Sequence, residues 1–171
     1  MKVSFNWLKD FVDIDITPEE LADRLVTCGF EVEEIINLAE NCKRVVVGRI
    51  ESITKHPDAD KLQICMIDVG QEVLQIVTGA NNIAVGDLVP VALDGSVLPN
   101  GAKIKKGKLR GVESCGMLCS GEELKLTEDD YKGASVYGIL IFNEDYPLGM
   151  DVNEIFGTND VVLDIGSHTN I

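Results

Sequence analysis

Residues 62–78, LQICMIDVGQEVLQIVT, decide the fold. They read as a strand from Leu62 to Val69, a tight hairpin turn at Gly70-Gln71, and a second strand from Val73 to Thr78. Working outward, Val45-Val46-Val47-Gly48-Arg49-Ile50-Glu51-Ser52-Ile53 is a strand bent near Gly48, and Leu88 to Leu93 is another. Pro90 inside that second run argues for an edge strand or a bulge, because proline cannot donate to a ladder. Met117-Leu118-Cys119 and Gly138 to Phe142 complete the set. Short strands, Gly-rich turns and few helices between about Lys43 and Ile141 indicate a small antiparallel barrel or sandwich. A five-stranded Greek-key barrel of the OB type fits the count.

The two ends have a different texture. Trp7, Leu8, Phe11 and Val12 recur at helical spacing. Thr17-Pro18-Glu19-Glu20 is a helix start, with Thr17 as cap, Pro18 at the first position and Glu20 closing a capping box. Leu21, Ala22, Leu25 and Val26 form one stripe, and Gly29 ends the helix. Phe30, Val32 and Ile35-Ile36 then read as a strand with one wet face. After Tyr146-Pro147-Leu148-Gly149 come a helical turn (152–156), a strand (161–165) and a polar tail, Gly166 to Asn170. The last strand is expected to pair near Val32. The fold is therefore mainly β with an α+β part: an OB-type barrel (41–150) inserted into a small α+β domain made by 1–40 and 151–171.

Composition narrows the function classes. Hydrophobic residues make up 45% and charged residues 26% of 171, as in ordinary globular proteins. No apolar run approaches the ~20 residues of a membrane span, and 1–15 hold no block of the secretory kind. Five cysteines at irregular spacing (28, 42, 65, 115 and 119) suit reduced thiols better than a disulfide framework. The formal net charge is −14, yet it is uneven. Residues 1–38 carry −6, 39–113 carry +1 and 114–171 carry −9.

Against that acidity, Lys103, Lys105, Lys106, Lys108 and Arg110 crowd into eight positions, a third of the fifteen basic residues. They lie largely at alternate positions, with Ile104 and Leu109 pointing the other way. An extended strand would put the cations on one face, as a row of phosphates requires. A lysine-guarded edge strand gives the same pattern, and charge alone leaves both readings open. The absence of aromatics between Lys103 and Ser120 argues against a sequence-blind single-strand cover and fits shape-and-phosphate reading of folded RNA.

His56-Pro57-Asp58-Ala59-Asp60-Lys61-Leu62 is a second distinctive loop. His56 and Lys61 are in a position to meet a phosphate or base edge; on the residues alone, a well-made turn with incidental polar residues is the favoured reading. Cys115 and Cys119 have C-x3-C spacing without a second pair, with only His56 and His168 as further nitrogen donors, so small thiols packing on the barrel are favoured over zinc. Asp58 and Asp60, or Glu122 and Glu123, have no nucleophile or oriented base beside them. There is no phosphate-binding glycine loop. No catalytic constellation is visible.

HPDADKLQICMIDVG, IVTGANNIAVGDLVPVALDGSVLP and KIKKGKLRGVESCGMLCSGEEL, in this order, resemble the tRNA-binding OB domain of synthetase-associated proteins. The opening, MKVSFNWLKDFVDIDITPEELADRLVTCGFEVEEI, resembles the start of the bacterial phenylalanyl-tRNA synthetase β-subunit family. The resemblance implies a tRNA-binding, non-catalytic region of a cytoplasmic α2β2 ligase that charges tRNA with phenylalanine using ATP and Mg2+. Its active site is implied to lie in the α subunit, so the expected partners are tRNA and that subunit, with no membrane, no DNA, and no cofactor or metal of the region's own. Lys106, Lys108 and Arg110 match the family's basic run before the glycine. Ser114, Met117, Ser120 and Glu122 match its S-x-G-M-x-x-S-x-E pattern, Gly116 holding a tight approach. With Lys103, Lys105, His56 and Lys61 these are the expected RNA-binding residues. Family members continue past the last strand through a T-P-N-R or S-N-R motif. Here Thr169-Asn170 leads to Ile171, so a piece of a longer subunit is expected. Two other readings remain: a protein-interaction module within the synthetase, and a stand-alone tRNA chaperone.

Overall fold

The computed structural model describes residues 1–158 and 160–167; the rest of the polar tail, His168 to Ile171, lies outside the described residues. In chain order the elements are β1 (Lys2–Ser4), α1 (Phe5–Phe11), α2 (Pro18–Thr27), β2 (Phe30–Asn37), a 3-10 turn (Leu38–Asn41), β3 (Lys43–Lys55), β4 (Gln63–Asp68), β5 (Val73–Thr78), β6 (Leu88–Val97), β7 (Gly107–Leu109), β8 (Val112–Ser114), β9 (Gly116–Leu118), α3 (Val152–Phe156) and β10 (Val161–Ser167). They divide into two compact units, Met1–Glu40 with Gly157–Ile171, and Asn41–Phe156.

The second unit is built on the expected hairpin. β4 and β5 pair antiparallel from Gln63↔Thr78 to Asp68↔Val73. They belong to a curled five-stranded sheet in the order β5-β4-β3-β6-β9, the OB-type architecture that the strand pattern implies. β3, 13 residues long, is the hinge of this sheet. It pairs with β6 over Lys43–Arg49 and with β4 over Arg49–Lys55, with register shifts at 43/45 and 50/52. Bulges of this kind bend a strand and let one sheet curl.

Alternation along the strands sorts the core into two layers. Ile50, Cys65, Ile67, Ile76, Val89, Val91 and Leu118 face one side and are buried. Val45, Val47, Leu88, Ala92, Cys119, Leu140, Phe142 and Val152 fill the other. β6 is covered on both faces, so its first five residues are all buried. This corrects the expectation for Pro90, which sits in an interior strand. Its carbonyl accepts from Cys119 N at 3.0 Å. The Cys119 carbonyl, which a residue with an N–H at 90 would have used, instead takes Leu140 N at 3.1 Å. The ladder loses no bond that is not replaced, which is why proline is tolerated there.

The same contact corrects the strand expected over 138–142. That segment forms no ladder. It is an extended tie, held at Leu140 and by Phe142 N donating to Leu88 O at 2.9 Å. Leu140 and Phe142 alternate into the core, and this produced the strand-like pattern. α3 also packs on the barrel, although the sequence groups 151–156 with the terminal unit. Val152 is fully buried, Asn153 Nδ2 donates to Cys42 O at 2.7 Å, and the Phe156 ring lies 5.6 Å from that of Tyr131, edge-on.

In the first unit the sheet order is β1-β10-β2. β10 pairs with β2 through Val32↔Ile165, as expected. β1 was not legible, three residues being too short to show alternation. The α2 capping box forms as expected: Glu20 N donates to Thr17 Oγ1 and Thr17 N to Glu20 Oε2, both at 3.2 Å. The buried residue of α1 is Phe5. Trp7, Phe11 and Val12 of the expected apolar stripe are largely exposed.

Candidate nucleic-acid interface

The basic run is not one strand. Lys103 makes an isolated bridge to Val97, 104–106 are irregular, and Gly107 enters a separate two-stranded hairpin of β7 and β8. Leu109 pairs with Val112, so the turn is Arg110-Gly111, with φ of +52° and +85°. A two-residue loop with positive φ at both positions is the tight turn that matches strand twist, and glycine at its second position relieves the strain. Arg110 thus stands at the hairpin tip. All five cations are exposed. Ile104 points inward as expected, but Leu109 is 47% exposed because this hairpin has no covered face there.

The cations differ in their partners. Lys106 Nζ lies 2.8 Å from Glu113 Oε1, across the hairpin. That hydrogen-bonded pair raises the Lys106 ammonium and lowers the Glu113 carboxyl from their ordinary ranges. The Lys106 backbone is fixed as well, its N–H donating to Asp94 Oδ1 at 2.9 Å.

His56 and Ser114 are buried and hold the hairpin in place. His56 Nδ1 accepts from Asp58 N at 3.0 Å, so Nε2 carries the proton and donates to Leu109 O at 3.0 Å. The loop at 56–61 is thereby tied to the basic hairpin. Ser114 Oγ accepts from Val77 N at 3.1 Å and donates to Gly116 O at 2.9 Å. With Cys115 N donating to Gln75 O at 2.8 Å, it fastens β5 to the β8–β9 connection and closes the curl of the sheet. At Gly116 a Cβ would lie 2.3 Å from Ala92 O, the tight approach that the pattern implies.

Lys61, Met117, Ser120 and Glu122 converge on the wall of one open cleft of about 1080 Å³. Ser120 works locally: it accepts from Glu123 N at 3.1 Å, and both its N–H and its hydroxyl donate to Glu123 Oε1. This capping box holds the turn at 121–125. Glu122, beside it, is exposed. Val136 and Tyr137 line the same cleft, and Tyr137 is 99% exposed.

Residues 45–151, nearly the whole span of the curled sheet with hairpin and cleft, match the family described as "Putative tRNA binding domain". The chain belongs to this tRNA-binding domain family. Among curated relatives it is 50% identical to the phenylalanine–tRNA ligase β subunit of Clostridium acetobutylicum over 171 residues, 99% of this chain and 21% of that one. The corresponding subunit of Clostridium tetani is 48% identical over the same shares. That of Oceanobacillus iheyensis is 50% identical over 96% of this chain and 21% of its own. The resemblance to that β-subunit family thus extends along nearly the whole chain. The chain spans about a fifth of the length of these relatives.

Within the barrel unit the thiols are packing groups. Cys119 is fully buried and Cys42 nearly so, while Cys115 is half-buried. Burial, with a smaller contribution from Asp151, pushes the Cys42 thiol up to about 11, and burial raises Cys65 and Cys119 too. Among the described residues no three His, Cys, Asp or Glu side chains converge as metal ligands. Among them too, no helix is long and apolar enough to cross a membrane.

Three residues that shape the cleft escaped the sequence reading: Tyr137, Asn82 and Glu128. The cue was present in Ser135-Val136-Tyr137-Gly138, where an aromatic stands in a small-residue turn.

Proposed function

We propose that this chain is the tRNA-binding region of a phenylalanine–tRNA ligase β subunit, contributing to aminoacylation of tRNA(Phe) without a catalytic site of its own. The match of 45–151 to the tRNA-binding family carries this reading. The barrel unit binds tRNA phosphates through Lys103, Lys105, Lys106, Lys108 and Arg110, with Lys61, Met117, Ser120 and Glu122 at the adjoining cleft. His56 and Ser114 support these contacts from beneath. The parent enzyme is a cytoplasmic α2β2 ligase using ATP and Mg2+, with the α subunit as protein partner.

Filter binding of tRNA(Phe) over a salt series tests this. Each phosphate contact contributes about 0.7 to 0.9 to the log–log slope. The K106A/K108A/R110A triple variant is expected to lose affinity and about 2 units of slope. An unchanged affinity and slope would overturn the assignment of this run.

A second reading, a protein-interaction role, rests on the terminal unit. That unit carries three basic against twelve acidic side chains, and exposes Trp7, Phe11, Val12, Val26, Phe30 and Ile35. Of these, the Trp7 and Phe11 rings lie together, 4.8 Å apart, and adjoining exposed apolar groups mark contact surfaces. Co-purification of this chain with the α subunit in the absence of tRNA would favour it, and loss of that association in W7A/F11A would assign the face.

A further inference from the structure

The cleft and the basic hairpin differ in sign. Asp60, Glu122 and Glu123 line the cleft against one cation, Lys61. Glu123 is occupied by Ser120, whereas the Glu122 carboxylate accepts no bond among the described residues. A cleft with this balance repels a phosphate. What it admits is a group carrying N–H donors, because an unpaired carboxylate is an acceptor alone; on a polyanion such as RNA, the donors of that kind are neutral base edges.

Tyr137 lines the same cleft, on backbone that is fixed from both sides. On one side Glu128 gathers Gly133 N at 2.6 Å, Ser135 N at 3.0 Å and Ser135 Oγ at 2.5 Å. On the other the Asn82 amide takes both backbone groups of Ile139, donating to its carbonyl at 2.9 Å and accepting from its N–H at 3.0 Å. Gly138 lies between, at φ +114°, where a Cβ would come within 2.3 Å of Asn82 Oδ1. The ring itself is left 99% to solvent. A free aromatic face on an immobilised backbone loses little conformational entropy when a flat partner stacks on it. In a tRNA-binding domain the flat neutral partner with N–H donors is an unpaired base, since folded RNA is read by sequence at splayed-out bases that stack on aromatics and present their pairing edges.

We propose that this cleft holds an unpaired guanine of the tRNA, stacked on Tyr137, with the Glu122 carboxylate accepting from its N1–H and 2-amino group. Guanine is the base that sets two such donors side by side for one carboxylate. This rests on the tRNA-binding reading above and adds a base-reading site to the phosphate-binding hairpin.

The test uses the full chain and three RNAs with equal numbers of phosphates: a stem with a seven-nucleotide loop containing one guanine, the same RNA with inosine there, and a blunt duplex. Tyr137→Ala is expected to weaken the guanine loop about tenfold and leave the duplex and the salt slope unchanged, while Tyr137→Phe binds as the original. Inosine, lacking the 2-amino group, is expected to bind the original chain about tenfold more weakly than guanine, and Glu122→Gln to bind both loops alike. The Tyr137 ring is exposed, so thermal melting should be the same for all variants. If the loops bind but Y137A and inosine change nothing, this inference fails and the tRNA-binding reading stands. If none of the RNAs binds, both fail. If Y137A weakens a Lys/Arg-rich peptide and no RNA, the cleft is a protein site and the inference is overturned.

Discussion

Residues 103–111 and 114–120 adjoin in the chain and belong to one sequence motif, yet they meet opposite surroundings. In the first stretch every cation is exposed, and one of them, Arg110, is carried at the tip of a hairpin. In the second, Ser114, Leu118 and Cys119 are buried and Gly116 is pressed against Ala92 O. The exposed half is free to change partner at little cost to the fold. The buried half has no such freedom, because its polar atoms close the sheet. Residues of one motif therefore divide into those available to a ligand and those that position them.

The largest effect expected from this contrast is on stability, at Ser114. S114A strands the buried Val77 N–H and the Gly116 carbonyl, and should destabilise the barrel by about 2 kcal/mol in denaturant unfolding. Its RNA affinity, measured where it is fully folded, should be unchanged. A stable S114A with weakened binding would place the hydroxyl at the ligand and remove the distinction.

Within the exposed half the contrast sharpens further. Lys108 has no ion-pair partner among the described residues, whereas the charge of Lys106 is offset by Glu113 at 2.8 Å, which weakens its pull on a phosphate. K108A is therefore expected to lower the salt slope by about 0.8 and K106A by clearly less. E113A, which frees Lys106, should raise affinity. Equal slopes for the two lysine variants would show that the ion pair does not persist in solution.

The smallest effect concerns the loop that carries Tyr137. Hydrogen bonds from Ser135 and Gly133 lower the Glu128 carboxyl from 4.5 to about 2. A depressed acid contributes its ordering fully above the unfolded value, and that contribution is lost as pH falls through the folded one. The amide signals of Gly133 and Ser135 should therefore titrate with a midpoint near pH 2, and lose this titration in E128Q. A midpoint near 4.5 would mean that Glu128 does not hold the loop.

Much of this fold was legible because local and tertiary signals agree. Residues 62–78 alternate and turn at Gly70, and Thr17-Pro18-Glu19-Glu20 carries every feature of a helix start. The last strand was expected to pair near Val32, and Ile165 lies opposite Val32. Other elements were hidden because a tertiary contact settles them. Pro90 reads as an edge residue unless it is known that Leu140 takes the acceptor it leaves free. The β7–β8 turn uses Arg110 in a left-handed conformation, where sequence reasoning expects asparagine or glycine. Of the site, the charge row was visible, but its folding into bridge, irregular stretch and hairpin was not. His56 and Ser114 are expected RNA contacts by residue type, and the sequence does not show that both are buried and bonded to backbone, His56 to Leu109 O and Ser114 to Val77 N and Gly116 O.

The division between contact and scaffold is tested most directly by one paired measurement. Salt-dependent tRNA(Phe) binding and denaturant unfolding are recorded side by side for S114A and for K106A/K108A/R110A. The expected result is crossed: the triple variant loses about 2 units of slope with unchanged stability, and S114A loses stability with an unchanged slope. The contradicting result is a triple variant that keeps its slope, or an S114A that loses slope while remaining as stable as the original.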